Sequence, residues 1–210
     1  MSYTAREYYT DPVVVERYEA DRYTSPLGRY RWRVEQKAVT RILALLSPGQ
    51  QVLDCPVGNG RWARHLLDAG HSVFGADISA PMLAAAGTRL ASSERRAAGL
   101  VRAEAERLPI RGGSCDYVFS HALTKHLPPP VQDRVLAEFA RVARRGVVCS
   151  FSVLSGPQGI LWRARRVPEG YGRTPDEITE LARRHGLEVR AAIRCTTVLG
   201  VERTILFERG

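Results

Sequence analysis

Cysteine is scarce in this chain, and the four present (Cys55, Cys115, Cys149 and Cys195) lie far apart with no C-x-x-C pair. That spacing argues against a zinc ribbon, a dithiol redox centre and a disulfide scaffold. No apolar run approaches the roughly 18–20 residues needed to cross a bilayer. The opening MSYTAREYYTD has no apolar core of the signal-peptide kind, so the expectation is a cytoplasmic protein with no membrane partner. Internal repeats and low-complexity segments are also missing. Lysine is nearly absent, only Lys37 and Lys125, so the 31 basic residues that outweigh 22 acidic ones to give +9 are almost all arginine. They are spread along the chain (Arg89, Arg95, Arg96, Arg141, Arg144, Arg145, Arg163, Arg165, Arg166, Arg183, Arg184) without one dominant tract. Such a distribution reads as a solvated basic surface, and a nucleic-acid partner is not expected. What remains is 210 residues, 44% hydrophobic and 25% charged, enough for one domain with a sizeable core.

The chain then alternates. A short helix is expected over Val13–Tyr23 and a second over about Trp32–Leu46, ended by Ser47-Pro48-Gly49. Short apolar strands follow at Gln51–Asp54, Ser72–Ala76, Leu100–Ala103, Asp116–Phe119 and Gly146–Phe151. Between them lie a helix to about Ala69, one over Pro81–Leu90 and one over Pro129–Val142. Alternation at this spacing predicts an α/β fold, a parallel sheet with helices on both faces. The end differs: a helix over Pro175–His185 stops at Gly186, and the runs Leu187–Thr197 and Val201–Glu208 are too close for a parallel crossover. They predict a hairpin, so the last strand is antiparallel.

The richest segment is Val52-Leu53-Asp54-Cys55-Pro56-Val57-Gly58-Asn59-Gly60-Arg61. A glycine turn between strand and helix brings backbone close to a ligand and offers unpaired helix N–H groups. Asp77, at the end of the second strand, suits the two hydroxyls of a ribose. Gly58 to Ala63 also satisfies the dinucleotide pattern G-x-G-x-x-A, a weak match alone. Against it, Asp54 would meet a pyrophosphate with negative charge but would favour a ligand carrying an ammonium and a sulfonium. Glu104-Ala105-Glu106 offers a carboxylate and a backbone N–H to an adenine edge, and the closing hairpin is foreign to the usual dinucleotide sheet.

With VLDCPVGNGR, VFGADISAPMLAAA, VRAEAERLPI, CDYVFSHALTKHLPP and EFARVARRG in this order, the sequence resembles the class I S-adenosylmethionine-dependent methyltransferases over roughly residues 34–208. It is most similar to the group that includes quinone-biosynthesis and natural-product enzymes. The resemblance implies a seven-stranded Rossmann-like sheet with an antiparallel last strand. It implies S-adenosyl-L-methionine as cofactor and S-adenosyl-L-homocysteine as product. Gly58 and Gly60 would then line the methionine part, with Asp54 near its ammonium. Asp77 would hold the ribose, Ile78 would pack on the adenine, Glu104 and Ala105 would meet the adenine edge, and Ser120 would face the sulfonium. The chain departs from the commoner family pattern at Pro56, where glycine is frequent, and at Glu104, where aspartate is usual.

Transfer to a hydroxyl profits from a general base near the end of the fourth strand, and His121 and His126 are the candidates. No acidic cluster suggests a metal, and the Asn/Asp-Pro-Pro-Tyr/Phe motif of DNA amino methylation is replaced by Ser120-His121-Ala122-Leu123. The expected acceptor is a small molecule methylated on oxygen in secondary or cofactor metabolism. An RNA acceptor and a non-catalytic cofactor-binding protein are the alternatives, and monomer and homodimer both stay open. Residues 1–33 are expected to form a helical lid, rich in tyrosine (Tyr3, Tyr8, Tyr9, Tyr18, Tyr23, Tyr30), over a methyltransferase domain of residues 34–210. An insert at about 154–172, with Trp162, Arg163, Arg165 and Arg166, is expected to supply the opposite wall.

Overall fold

The structure, a computed structural model, describes residues 11, 15, 23–91, 99–164, 170–196 and 200–210. The expected helix Val13–Tyr23, four of the N-terminal tyrosines, Arg95, Arg96, Arg165 and Arg166 fall outside the described residues, apart from Val15 and Tyr23. In chain order the elements are α1 (Pro26–Leu43), β1 (Gln51–Asp54), α2 (Arg61–Asp68), β2 (Ser72–Asp77), α3 (Ala80–Ala91) and β3 (Gly99–Arg102). There follow β4 (Cys115–Ser120), a 3-10 turn at Thr124–His126, α4 (Pro129–Val142), β5 (Ala143–Val153) and α5 (Gly156–Ala164). The chain closes with β6 (Gly172–Arg173), α6 (Pro175–Arg184), β7 (Leu187–Arg194) and β8 (Glu202–Arg209).

α1 begins six residues before the expected Trp32 because Ser25 caps it, accepting the Gly28 N–H at 3.0 Å, and Pro26 occupies the first turn. A proline there lacks only a donor that has no helical partner anyway. One continuous helix therefore crosses residues 33 and 34. α6 starts in the same manner: Thr174 and Glu177 form a reciprocal capping box.

The sheet runs β3-β2-β1-β4-β5-β8-β7, with the two-residue β6 added beside β5. The first five strands are parallel, and β8 lies antiparallel between β5 and β7. The expected hairpin is thus present, and its second arm is an interior strand. Alternation along each strand feeds two cores. Val52, Tyr117, Val148 and Leu206 face α1, α2 and α3 on one side. Leu53, Val118, Val147 and Phe207 face α4 and α6 on the other. Both faces are covered, as parallel strands require. β1 sends the chain towards β2 and β3, whereas β4 lies on its other flank, so the strand order reverses between β1 and β4. A crevice opens at the carboxyl ends of the strands at such a switch point. No described helix is long and apolar enough to cross a membrane.

Candidate functional site

Four strand ends converge on this crevice: Asp54 from β1, Asp77 from β2, Arg102 from β3 and Ser120 from β4. Asp54 is 1% exposed. No side chain hydrogen-bonds either of its carboxylate oxygens. Burial, and then the neighbouring Asp77, push its carboxyl well above the ordinary range, with only the Ala63 N–H of α2 pulling the other way. A buried carboxylate without partners is costly, and a cation placed beside it would relieve that cost.

The turn after Asp54 leaves room for a ligand. Gly58 has φ +53° and faces open space, while Gly60 has φ +80° and a side chain there would meet the Ala86 Cα of α3 at 3.0 Å. Gly60 is the N-cap of α2 and no side chain caps that helix. The first turn of a helix that starts in this way offers N–H groups that a ligand can use. Val57 N–H donates to Ala76 O at 2.8 Å, and Arg89 holds the loop through Asn59 O at 2.9 Å.

Asp77 ties this turn to the next helix. Its Oδ2 accepts the Gly58 N–H at 2.8 Å and its Oδ1 accepts the Ser79 N–H at 2.9 Å. Burial raises its carboxyl despite these backbone donors. Each oxygen retains a second acceptor site, so two ligand hydroxyls can still be bound. Beside it lies a cleft lined by Cys55, Pro56, Asp77, Ile78, Ala103, Glu104, Ala105, Glu106 and Leu123. Of the residues singled out in the sequence, Asp77, Ile78, Glu104 and Ala105 thus share one wall. Glu106 is engaged with Arg134 at 2.7 Å, and Glu104 is exposed at the lip, bridged to Arg107. Cys55 is buried and its thiol is pushed well up by desolvation, which suits a packing residue and not a nucleophile.

On the β4 side, Ser120 is buried beside the Cys149 thiol. His121 stacks near Phe119 (ring centroids 6.3 Å, 8° between planes) and meets Trp62 at 4.8 Å. Trp62 in turn touches Trp32 of α1 at 4.6 Å, and Trp32 touches Tyr23 at 5.6 Å. The Arg61 guanidinium covers the Tyr23 ring at 3.9 Å and the Trp32 ring at 4.5 Å. Ala122, next to His121, has φ +61° and donates its N–H to Ser150 Oγ at 2.7 Å. A non-glycine residue held there is strained, and such strain concentrates at functional sites. His126 sits in the following 3-10 turn with Nε2 buried. That turn is fastened by Gln132 to Thr124 O at 2.8 Å, by Lys125 to Glu202 at 2.5 Å and by Tyr171 N–H to Lys125 O at 2.9 Å. Trp62, Trp32 and Leu123 were not singled out by the sequence reading. The signal for Trp62 was its place two residues after Gly60, on the first turn of the glycine-started helix. No group of three or more potential metal ligands occurs among the described residues.

These features fit S-adenosylmethionine: an unpartnered carboxylate for its cationic amino acid end, an open uncapped turn, a ribose-type acid and a cleft beyond it. Comparison with known proteins agrees. A model of the methyltransferase domain matches residues 52–146. Malonyl-[acyl-carrier protein] O-methyltransferase of Pectobacterium atrosepticum is 30% identical over 179 residues, 79% of this chain and 67% of that protein. An uncharacterized methyltransferase of Mycobacterium leprae is 32% identical over 113 residues, and there the chain spans only 40% of the relative's length. Magnesium protoporphyrin IX methyltransferase of Synechocystis, solved with bound S-adenosylhomocysteine, shares the fold with a TM-score of 0.80 at 20% identity and covers 98% of both chains. On the sequence relationship, with the fold in agreement, the chain belongs to the class I S-adenosylmethionine-dependent methyltransferases.

Proposed function

We propose that the protein methylates an oxygen of a small acceptor, held between the end of β4 and the aromatic group built from α1 and α2. The observation that carries the cofactor half of this reading is Asp54, buried with both oxygens unpartnered above an uncapped glycine turn. In this reading Asp54 takes the ammonium of the methionine part, Gly58 and Gly60 let it lie against the backbone, and Asp77 accepts from the ribose hydroxyls. Ile78 covers one adenine face, and Glu104 with the Ala105 N–H meets its edge. Bound there, the cofactor supplies an electrophilic methyl on a sulfonium.

The protein's share of the chemistry is alignment and exclusion of water. Trp62, Trp32 and Phe119 form an aromatic wall next to Ser120 and His121, where an acceptor can be held in line with the methyl. His121 is the group placed to hold a hydroxyl or accept its proton, and His126 shapes the turn behind it. Oxygen as the acceptor atom is supported by the O-methyltransferase relative, whose named substrate is a malonyl group on a carrier protein. Residues 1–33 and the 154–172 insert remain, in this reading, the walls of the acceptor side. Trp32 supports the first, since it brings α1 to within one ring of His121.

The test is transfer of an isotopically labelled methyl from S-adenosylmethionine to panels of small alcohols, phenols, carboxylic acids and amines. Label entering oxygen acceptors is the expected result. Label entering amines alone, or no small acceptor, contradicts the reading.

A further inference from the structure

We propose that the outer face of α1 is a docking surface for an acidic protein that brings the acceptor to the site. The proposal rests on the small-acceptor reading above. α1 buries Gly28, Ala38, Val39, Ile42 and Leu43 towards the core. Its opposite face carries Arg29, Arg33, Lys37 and Arg41, all exposed and each four residues from the next. Successive members of such a row lie about 6 Å apart. At about 1.5 Å rise per residue the row is roughly 18 Å long.

Like charges at this spacing oppose one another and weaken the helix that bears them. Elsewhere in the fold arginines meet acids: Arg64 with Asp68, Arg134 with Glu106, Arg141 with Glu138 and Arg144 with Asp116. Among the described residues, no acid pairs with Arg33, Lys37 or Arg41. The row is therefore a positive strip that the negative surface of a partner would complement.

Apolar side chains at the strip's ends decide the class of partner. Leu27 and Tyr30 are each 54% exposed at its start, and Leu45 is 55% exposed just past its end. Exposed tyrosine and aliphatic groups beside arginine make a protein-type interface, in which apolar contact adds to charge. Phosphates would engage the cations and leave these apolar groups in water. The helix that bears the strip also reaches the site. Trp32, one residue from Arg33, touches Trp62, which touches His121. A partner lying along α1 has its cargo within reach of that end.

The experiment measures fluorescence anisotropy of a labelled acyl carrier protein, as the acidic probe, and of a single-stranded RNA 20-mer. Both are titrated with the wild type and with the triple variant Arg33→Glu, Lys37→Glu, Arg41→Glu, at low and high salt. The expected result is binding of the carrier protein that weakens at least tenfold in the triple variant and also falls with salt. S-adenosylhomocysteine affinity should stay unchanged in the variant, showing an intact fold. Carrier-protein affinity equal in the two proteins overturns the proposal. So does absence of carrier-protein binding, or tighter binding of the RNA. The labelled-methyl assay with free small acceptors reports on the underlying function separately, because it needs no docked partner.

Discussion

The two ends of the same strands treat their carboxylates in opposite ways. At the amino end, Asp116 of β4 accepts the Gln51 N–H of β1 at 2.8 Å and pairs with Arg144 at 3.0 Å. Burial pulls its carboxyl upward, but the Gln51 N–H and Arg144 together outweigh that and hold it below the ordinary range. Nearby, Tyr117 donates to Glu208 at 2.9 Å and Arg145 to Gln50 at 3.1 Å. At the carboxyl end, Asp54 is more deeply buried, has no side-chain hydrogen-bond partner and faces a second acid, Asp77. One end is finished by its own side chains. The other, in the function proposed here, is completed by a ligand whose positive charge meets Asp54.

This contrast can be broken by mutation. The largest expected effect on binding is that of Asp54→Asn, which keeps the shape and removes the charge. Loss of a charge-assisted contact in a buried site should weaken S-adenosylhomocysteine by about 100-fold, measured by calorimetry. The melting temperature of the free variant should be unchanged or higher, because an unpaired buried charge has gone. His121→Ala should lower turnover by about 100-fold with S-adenosylhomocysteine affinity unchanged, if the imidazole acts on the acceptor; equal turnover leaves alignment as the whole mechanism. Asp77→Ala should weaken the same ligand by about 1–3 kcal/mol and also loosen the glycine turn, which loses its anchor at the Gly58 N–H.

Acidity sharpens the contrast. Asp54 has a folded carboxyl pKa above its unfolded one, so its contribution to stability is present at low pH and lost as pH rises through the folded value. Asp116 behaves oppositely: its contribution is present above the ordinary carboxylate range and lost on acidification. The rise in melting temperature caused by S-adenosylhomocysteine should therefore shrink as pH falls, because binding favours the charged form of an Asp54 carboxyl that burial has raised. Asp116→Asn is the smallest change: about 1 kcal/mol of stability or less, with ligand affinity unaltered. A loss of affinity there would erase the distinction between the two ends.

Much of this was legible in the sequence because it is carried by local signals. Strand and helix alternation, the glycine turn and the short link before β8 announced the sheet and its reversed final strand. Asp54, Gly58, Gly60 and Asp77 stand out as candidates because a switch point gathers strand ends and the turns after them, and the structure brings these four to one crevice. Other features needed the third dimension. α1 starts before the apolar periodicity becomes regular, because Ser25 and Pro26 together form its start signal. Trp32 and Trp62 are thirty residues apart, and no periodicity announces that they meet. β6 has two residues, too few to show any period, and is defined by its pairing with β5.

The central claim, that Asp54 is reserved for a cation, is tested most directly by calorimetry of S-adenosylhomocysteine binding over a series of pH values, in buffers of different ionisation enthalpy. The account predicts that the wild type releases more protons on binding than Asp54→Asn does, because binding draws the raised Asp54 carboxyl towards its charged form. Equal proton release and equal affinity in the two proteins would contradict it.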